Sequence, residues 1–505
     1  MKFLLKTCGV SVLTVLIASG CTTVGPDYEK PTAPVQTDWI EYEDPLLAAT
    51  SPIEPEWWKA AFNDPALDEL VDTALKENLT LRSAGLRVLQ ARQQLAIAVG
   101  SQYPQQQTLS GSATTQGYNH SSFETYDLGF NVSWEADVWG RFTRQIESAS
   151  AALDASVANY DGVLVSLIAD VAQSYLLIRT TQQRLIVARQ NLGYQQDSVD
   201  ITTAKYEGGE VSSLDLEQAL TLLYNTRSSL SALEQTLQQL KNSLAVLLGQ
   251  PPQGMNDLLK TPEPIPSVEP RIAIGMPQDL IRRRPDIRVS ERQLAAQSAQ
   301  IGYAITELYP QFGIGGSVGT SVSTNDGQDF GDLFSGGTFG YGLSGFFQWN
   351  IFNYGRLKNN VRLQDAVFQQ LLEDYRQTVL QAQADVENAI VAFLRSQEQM
   401  NALQLAADAA QRAADVSNTQ YMDGLVDFNS VSSTLRTLAG QQDQLASVQG
   451  TVTTNLVAVY LSLGGGWELS QSENPLDLIP DVTREEMLQR SKYWNKTFES
   501  EIPRQ

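Results

Sequence analysis

The stretch "FNVSWEADVWGR", residues 130–141, decides the fold. Phe130, Val132, Trp134, Ala136 and Val138 share one parity, and Asn131, Ser133, Glu135 and Asp137 share the other. That two-residue alternation is a strand with one apolar face. After Gly140 the chain is rich in Ala, Leu, Gln and Arg and runs for about fifty residues without a proline or a turn cluster, which predicts a long helix. A short amphipathic strand is thus joined through Gly-Arg to a helix several times its length.

The same unit occurs twice. Trp134, Gly140 and Arg141 of "WEADVWGR" recur as Trp349, Gly355 and Arg356 of "WNIFNYGR", 215 residues on. This offset also relates Tyr206 and Gly209 of "YEGGEV" to Tyr421 and Gly424 of "YMDGLV", and Leu248-Gly249 to Leu463-Gly464. Upstream, Tyr103-Pro104 answers to Tyr309-Pro310 at an offset of 206. The nine missing residues fall in "STNDGQDFGDLFSGGT", residues 323–338, which reads as a longer exposed hairpin loop. Each half therefore runs helix, Tyr-Pro, strand, loop, strand, Gly-Arg, very long helix, glycine turn, helix. Proline ends the incoming helix at Pro104 and Pro310, and glycine permits the bend out at Gly140 and Gly355. Helices are expected over roughly 65–102, 140–205 and 214–248, and again over 277–308, 355–421 and 428–463. A helix of about 65 residues is about 100 Å long, too long for a compact domain, so these must pack as a coiled-coil array with partners. Their dense Ala and Gln suit close packing with a polar face.

The strands carry the membrane reading. In "FGYGLSGFFQWNIFNYGR", residues 339–356, Phe339, Tyr341, Leu343, Gly345, Phe347, Trp349 and Ile351 alternate with Gly340, Gly342, Ser344, Phe346, Gln348 and Asn350. Phe346 is the exception on the polar side. Lipid-out, lumen-in alternation of this kind is that of outer-membrane barrels, and Trp134, Trp139, Trp349 and Tyr354 fit an interfacial girdle. A soluble sandwich core is the alternative use of the same side chains. Four strands per chain cannot close a barrel, since the smallest bacterial ones use about eight, so several chains must contribute.

Composition and the N-terminus bound the rest. The 505 residues are 42% hydrophobic, and the net charge of −22 argues against nucleic acid as a partner. One histidine, His120, makes histidine metal clusters and Ser-His-Asp catalysis improbable. Lys2 and Lys6, the apolar run Val10 to Ile17, and Ala18, Ser19 and Gly20 before Cys21 form an export signal. The small residues before Cys21 resemble a bacterial lipobox, although Ala18 stands where leucine is usual, so Cys21 is expected to become the lipidated first residue. Cleavage removes Cys8 and leaves no intramolecular disulfide; it also removes two lysines, which takes −22 to −24. No later apolar run approaches the ~20 residues of a membrane helix, so strands must do any crossing.

These residues closely resemble the outer-membrane channels of tripartite efflux pumps, the TolC-like family, in its OprM-like lipoprotein branch that works with RND pumps. "CTTVGPDYEKP", "WWKAAFNDPALDELVDTALKENLTLRSA", "MPQDLIRRRPDIRVSERQLAAQ" and "LGGGW" carry the resemblance over nearly the whole chain. It implies a mainly α fold with a membrane β part: a homotrimer whose three sets of four strands close a twelve-stranded barrel, continuous with a periplasmic α-helical barrel. The implied organisation is a signal peptide at 1–20, an extended segment at 21–64, a first repeat at 65–250, a linker at 251–276, a second repeat at 277–467 and a tail at 468–505. Implied partners are a periplasmic adaptor, an inner-membrane pump and the bilayer; no cofactor is expected beyond the lipid on Cys21, and no enzymatic activity.

By the same resemblance the two helix turns are periplasmic tips, and the second lines the constriction. Tyr421, Gly424 and Arg436 keep the family pattern, whereas Asn429 and Ser433 stand where a hydrophobic ring and an aspartate are common. Asp423 and Asp427 then become candidates for carboxylate rings, with Tyr421 and Arg436 as candidate clamps, against the plainer reading of helix-capping or solvated aspartates. Gly208, Gly209, Gly424 and Leu425 are the expected adaptor contacts. "GIGGSVG", residues 313–319, lacks the lysine and helix of a nucleotide loop and reads as a small-residue strand. "RRRPDIR", residues 282–288, reads as a solvated helix start with Pro285 in its first turn. Two other functions share parts of this pattern: a channel for secreted polypeptide, and a helical scaffold or adaptor without a pore.

Overall fold

A computed structural model describes residues 23–41, 43–48, 54–118, 121–254, 259–268, 272–273, 275, 277–472 and 479–495. Cys21 with its signal, and His120, lie outside the described residues. In chain order the elements are β1 (Leu47–Ala48), α1 (Trp57–Phe62), α2 (Pro65–Glu77), α3 (Leu79–Gly100), β2 (Gln106–Tyr118), β3 (Ser121–Ala136), α4 (Arg141–Glu207) and α5 (Ser213–Leu247). There follow β4 (Ile272–Ala273), α6 (Leu280–Arg283), α7 (Pro285–Thr306), β5 (Gln311–Ser323), β6 (Phe339–Gln348), α8 (Arg356–Met422), α9 (Phe428–Ser462) and α10 (Asp481–Arg490).

The repeat is kept residue for residue. Helices α4 and α8 have 67 residues each, and α5 and α9 have 35 each. The three glycines that punctuate each half, Gly140, Gly209 and Gly249, have positive φ, and so do Gly355, Gly424 and Gly464, each 215 residues on. A β-carbon disfavours that conformation by about 1 kcal/mol, so the sequence marks these bends by the only residue that enters them freely.

The chain falls into two compact units. One comprises residues 1–32, 87–157 and 289–376 and holds the four-stranded antiparallel sheet, in the order β2-β3-β5-β6. The other comprises 33–86, 158–288 and 377–505. In its core Trp57 stacks on Tyr460 with ring centroids 4.7 Å apart. A β-carbon on Gly465 would meet the Trp57 ring at 2.9 Å, and one on Gly466 would meet Ile168 at 3.1 Å. The run "LGGGW" is therefore the shape "WWKAAF" requires of its neighbour.

Four expectations change. The helix expected over 65–102 is broken at Asn78, whose ψ is 124°: its side chain accepts from Leu81 N and donates to Leu247 O, both at 2.8 Å, local bonds that asparagine offers in place of a helix. The helix expected over 277–308 is broken at Arg284, which precedes Pro285 and is pushed to extended backbone, ψ 122°, by the proline ring. "RRRPDIR" does open a helix with Pro285 as its first residue, but beyond the exposed Arg282 it is paired instead of solvated: Arg283 pairs with Glu468, Arg284 with Asp286 and Asp385, and Arg288 with the buried Asp161 at 2.8 Å. Finally, α4 contains a segment long and apolar enough, by composition, to cross a membrane, but it is mostly buried; Leu164, Ile168, Val171, Tyr175 and Ile178 are core. The sequence reading also missed the short parallel pairing of β1 with β4. In the tail, α10 is anchored through Ile479 and Met487, both buried.

Candidate functional site

The sheet sorts its side chains as the parity requires. Across one row Phe339 faces Thr320 and Leu128; across the next, Tyr341 faces Val318, Phe130 and Leu109; beyond them lie Leu343 with Val132, and Phe347 with Phe312 and Ala136. The opposite face carries Gly342, Ser317, Asn131 and Thr108 in one row and Ser344, Gly315 and Ser133 in another. All ten residues of β6 are exposed, Tyr341 at 86% and Leu343 at 82%. On the polar face Phe346 lies over Gly313, where a β-carbon would collide with the ring. Among the described residues β2 pairs only with β3 and β6 only with β5, so both long edges of the sheet are open.

The strand–helix junctions are built alike in both repeats. Trp134 Nε1 donates to Gln102 O at 3.1 Å and Trp349 Nε1 to Leu308 O at 3.0 Å, in each case the residue just before Tyr103-Pro104 and Tyr309-Pro310. Trp139 stacks on Tyr309 at 4.8 Å and donates to Pro310 O at 2.8 Å. Gly140 and Gly355 then turn the chain into Arg141 and Arg356, the first residues of α4 and α8. Arg141 pairs with Glu135 at 3.2 Å and reaches Tyr303. Here the N-terminal segment docks: Val24 N donates to Trp139 O, and the buried Arg144 donates to Val24 O, Gly25 O and Asp27.

At the helix tips each turn closes with the same bonds, Glu210 N to Lys205 O and Leu425 N to Gln420 O, both 2.8 Å. The entry to the next helix is a mirrored pair. Ser212 N and Oγ reach Asp215 at 3.1 and 3.0 Å before α5, whereas Asp427 accepts from Ser430 N at 3.0 Å and Ser430 Oγ at 2.8 Å before α9. Serine and aspartate have exchanged places at equivalent positions, a capping pattern legible in "SSLD" and "DFNS". The Ser430 hydroxyl, then its amide, hold the Asp427 carboxyl below the ordinary carboxylate value.

Tyr421 is buried among Val199, Leu222, Phe428 and Leu435, edge-on to Phe428 at 5.6 Å with Lys205 over its ring at 5.2 Å. Its hydroxyl has no hydrogen-bond partner among the described residues. Among the described residues Arg436 donates to Ser432 Oγ, at 3.4 Å, one turn back. Within one chain, then, neither expected clamp holds Asp423 or Asp427. The structure does bring Asn429, Ser433 and Arg436 onto one exposed stripe of α9, opposite the buried Phe428, Val431, Leu435 and Leu438, with Asp423, Gly424 and Leu425 exposed at its end. The first tip exposes Gly208 and Gly209. Farther from the tips, α4 is tied to α9 by Arg184 and Asp443 at 2.8 Å, beside a cleft of about 520 Å³. Among the described residues no group of three His, Cys, Asp or Glu is placed to hold a metal ion.

A sheet with one apolar and one polar face, each of its hairpins followed in sequence by a 67-residue and a 35-residue helix, is the part list of an export channel, and comparison with known proteins agrees. Residues 70–250 and 276–465 match the outer membrane efflux protein family. The chain is 32% identical over 427 residues to the pyoverdine export outer membrane protein OpmQ of Pseudomonas putida, covering 82% of this chain and 89% of that protein. It is 27% identical to the probable outer membrane lipoprotein SilC of Salmonella typhimurium, covering 91% and 98%. The solved outer-membrane channel OprN superposes with a TM-score of 0.82 at 31% identity, covering 88% of this chain and 99% of that one. The chain belongs to the outer membrane efflux protein family. It is an outer-membrane channel of an efflux system, a conduit toward the exterior whose long helices form its periplasmic part.

Proposed function

We propose that three copies of this chain close a twelve-stranded barrel and act as the passive, gated exit duct of a tripartite pump. The observation that carries this is the sheet with one exposed apolar face, one polar face and two unpaired edges. Unpaired backbone edges are not tolerated in hydrocarbon, so β6 must pair with β2 of another copy. Two copies would give about eight strands, an interior that side chains fill; three give the smallest open lumen, and Gly, Ser, Thr and Asn line it. The chain itself does no chemistry. An inner-membrane pump of the RND type supplies the energy, and substrate choice resides there, because a wide duct touches its cargo weakly.

A periplasmic adaptor engages the tips at Gly208, Gly209, Gly424 and Leu425. Three copies of the α9 stripe then meet around one axis, where Asp423 and Asp427 focus cations and Asn429, Ser433 and Arg436 border the aperture. Cys21 carries the lipid, two residues ahead of Thr23, which with Val24 lies at the strand–helix junction. Purified protein should run as an oligomer in dodecyl sulfate that heating dissociates to the monomer, with the mass of three chains, and should conduct ions across a planar bilayer. A detergent-free soluble monomer without conductance would end this reading.

A further inference from the structure

The segment between β5 and β6 is the longer exposed hairpin loop that its composition predicts, with most of its residues exposed. Within it, residues 324–326 and 330–334 form two short 3-10 turns, and the second packs on the sheet. Glu124 N donates to Thr324 Oγ1 at 2.7 Å, and Asp329 caps the second turn by accepting from Gly331 N. Phe330 packs edge-on against Tyr126 with centroids 5.1 Å apart, and Phe334 packs on Phe330 at 6.0 Å. Leu333 is buried, as is Val322 of β5. Tyr126 and Val322 are a register pair, and their parity is that of Leu128, Phe130 and Val318. The turn thus covers the apolar face of the sheet, at the end remote from the helices, and leaves the lumen face open.

We propose that this turn is a membrane-embedded part of the channel, in which Phe330 and Phe334 lie against lipid at the outer-leaflet boundary; the proposal rests on the barrel reading above. The dimensions require something of the kind. From Phe312 to Thr320 the apolar face runs for eight residue steps, about 27 Å along the strand at 3.4 Å each; at a tilt near 40° that is about 21 Å of height, against an apolar band of about 25 Å. The next row, Val322 and Tyr126, supplies the missing height, and it is the row the turn covers. Any apolar contact with lipid there must come from the turn. Phe334 is 71% exposed and Phe330 55%, on the same side as the exposed Phe339 and Tyr341, so the lipid-facing surface continues across the turn. The turn leans on β3 and β5 in the middle of the sheet, away from the β2 and β6 edges where a second copy attaches.

Single cysteines at Phe334, at Leu343 in the barrel and at Asn325 in the loop, each carrying an environment-sensitive fluorophore, test this in full-length protein reconstituted into phosphatidylcholine vesicles with nitroxide-labelled lipid; the unsubstituted protein is the blank. The label at Phe334→Cys should lose most of its emission to the lipid quencher, as Leu343→Cys does, while Asn325→Cys responds to aqueous iodide. A Phe334 label quenched by iodide alone, or by neither agent, with Leu343 still quenched by lipid, overturns the proposal and leaves the barrel standing. Loss of lipid quenching at Leu343 as well brings down the barrel reading, and the turn's place in the membrane with it.

Discussion

Asp427 and Ser212 do the same work from opposite ends of a bond. Each begins the helix after a tip turn, and in each case a serine and an aspartate three residues apart close on one another. The exchange puts a carboxylate at the second tip where the first has a hydroxyl. Capping does not require that charge, so Asp427→Ser should keep α9 intact while Asp427→Ala frays its first turn. Because the folded carboxyl titrates below its ordinary value, the cap is at full strength above about pH 4 and is lost as pH falls through the lower, folded value. Amide exchange at residues 428–431, corrected for intrinsic rates, should therefore quicken in acid for the parent protein and stay flat for Asp427→Ser. Equal acid sensitivity in both would show that the carboxylate is not what holds this turn. In conductance, Asp427→Ser should weaken cation preference without opening the tip.

At the scale of elements, the strand–helix junction is where the two repeats are alike in backbone and unlike in packing. Gly140 and Gly355 have φ of 78° and 82° and begin equivalent helices. A methyl group costs about 1 kcal/mol at either, from backbone alone. Beyond that, a β-carbon on Gly140 would meet the Thr23 side chain at 2.6 Å, whereas at Gly355 the space is open but for Asn359 at 3.8 Å. Gly140→Ala should accordingly lower the temperature at which heat dissociates the oligomer by more than Gly355→Ala does, and it alone should expose residues 23–32 to protease. Equal effects would mean that the N-terminal segment yields at no cost. Asn78 and Arg284 show the complementary case, in which one polar or pre-proline residue ends a helix that periodicity alone would have continued.

For the whole molecule, the proposed lipid on Cys21 and the barrel would hold the chain to the membrane with very different strengths. A lipid anchor removes only its own acyl chains from water, whereas a barrel removes an entire apolar face, so the barrel does not depend on the anchor. Cys21→Ser should therefore abolish labelling by a fatty-acid probe, which Cys8→Ser leaves intact, yet still allow protein to be recovered in the outer membrane with its conductance. Undiminished labelling of Cys21→Ser would remove the lipid from this account. Arg144 fastens Val24, Gly25 and Asp27 beside the junction through contacts that do not involve Cys21, so these residues should stay docked in Cys21→Ser.

Periodicity, repetition and punctuation were determined by the sequence alone, because each is a local property. Alternation at two residues set the faces of β3 and β6, an uninterrupted helical pattern set α4 and α8, and paired glycines and Tyr-Pro steps set the bends. The family followed from the same motifs. What the sequence left open depends on residues far apart in the chain. "RRRPDIR" looks solvated until Asp161, Asp385 and Glu468 arrive from elsewhere to pair with it. Asn78 breaks a helix because Leu247 O is there to receive its amide. Tyr421 and Arg436 lie near the tip aspartates in sequence, but the fold turns Tyr421 into a core of α4, α5, α8 and α9 side chains and leaves Arg436 on the opposite stripe. Residues 323–338 are polar in composition, and only the sheet beneath them decides that Phe330, Leu333 and Phe334 make this a turn that seeks the apolar face. Burial and pairing are sums over neighbours, and tertiary structure alone says who the neighbours are.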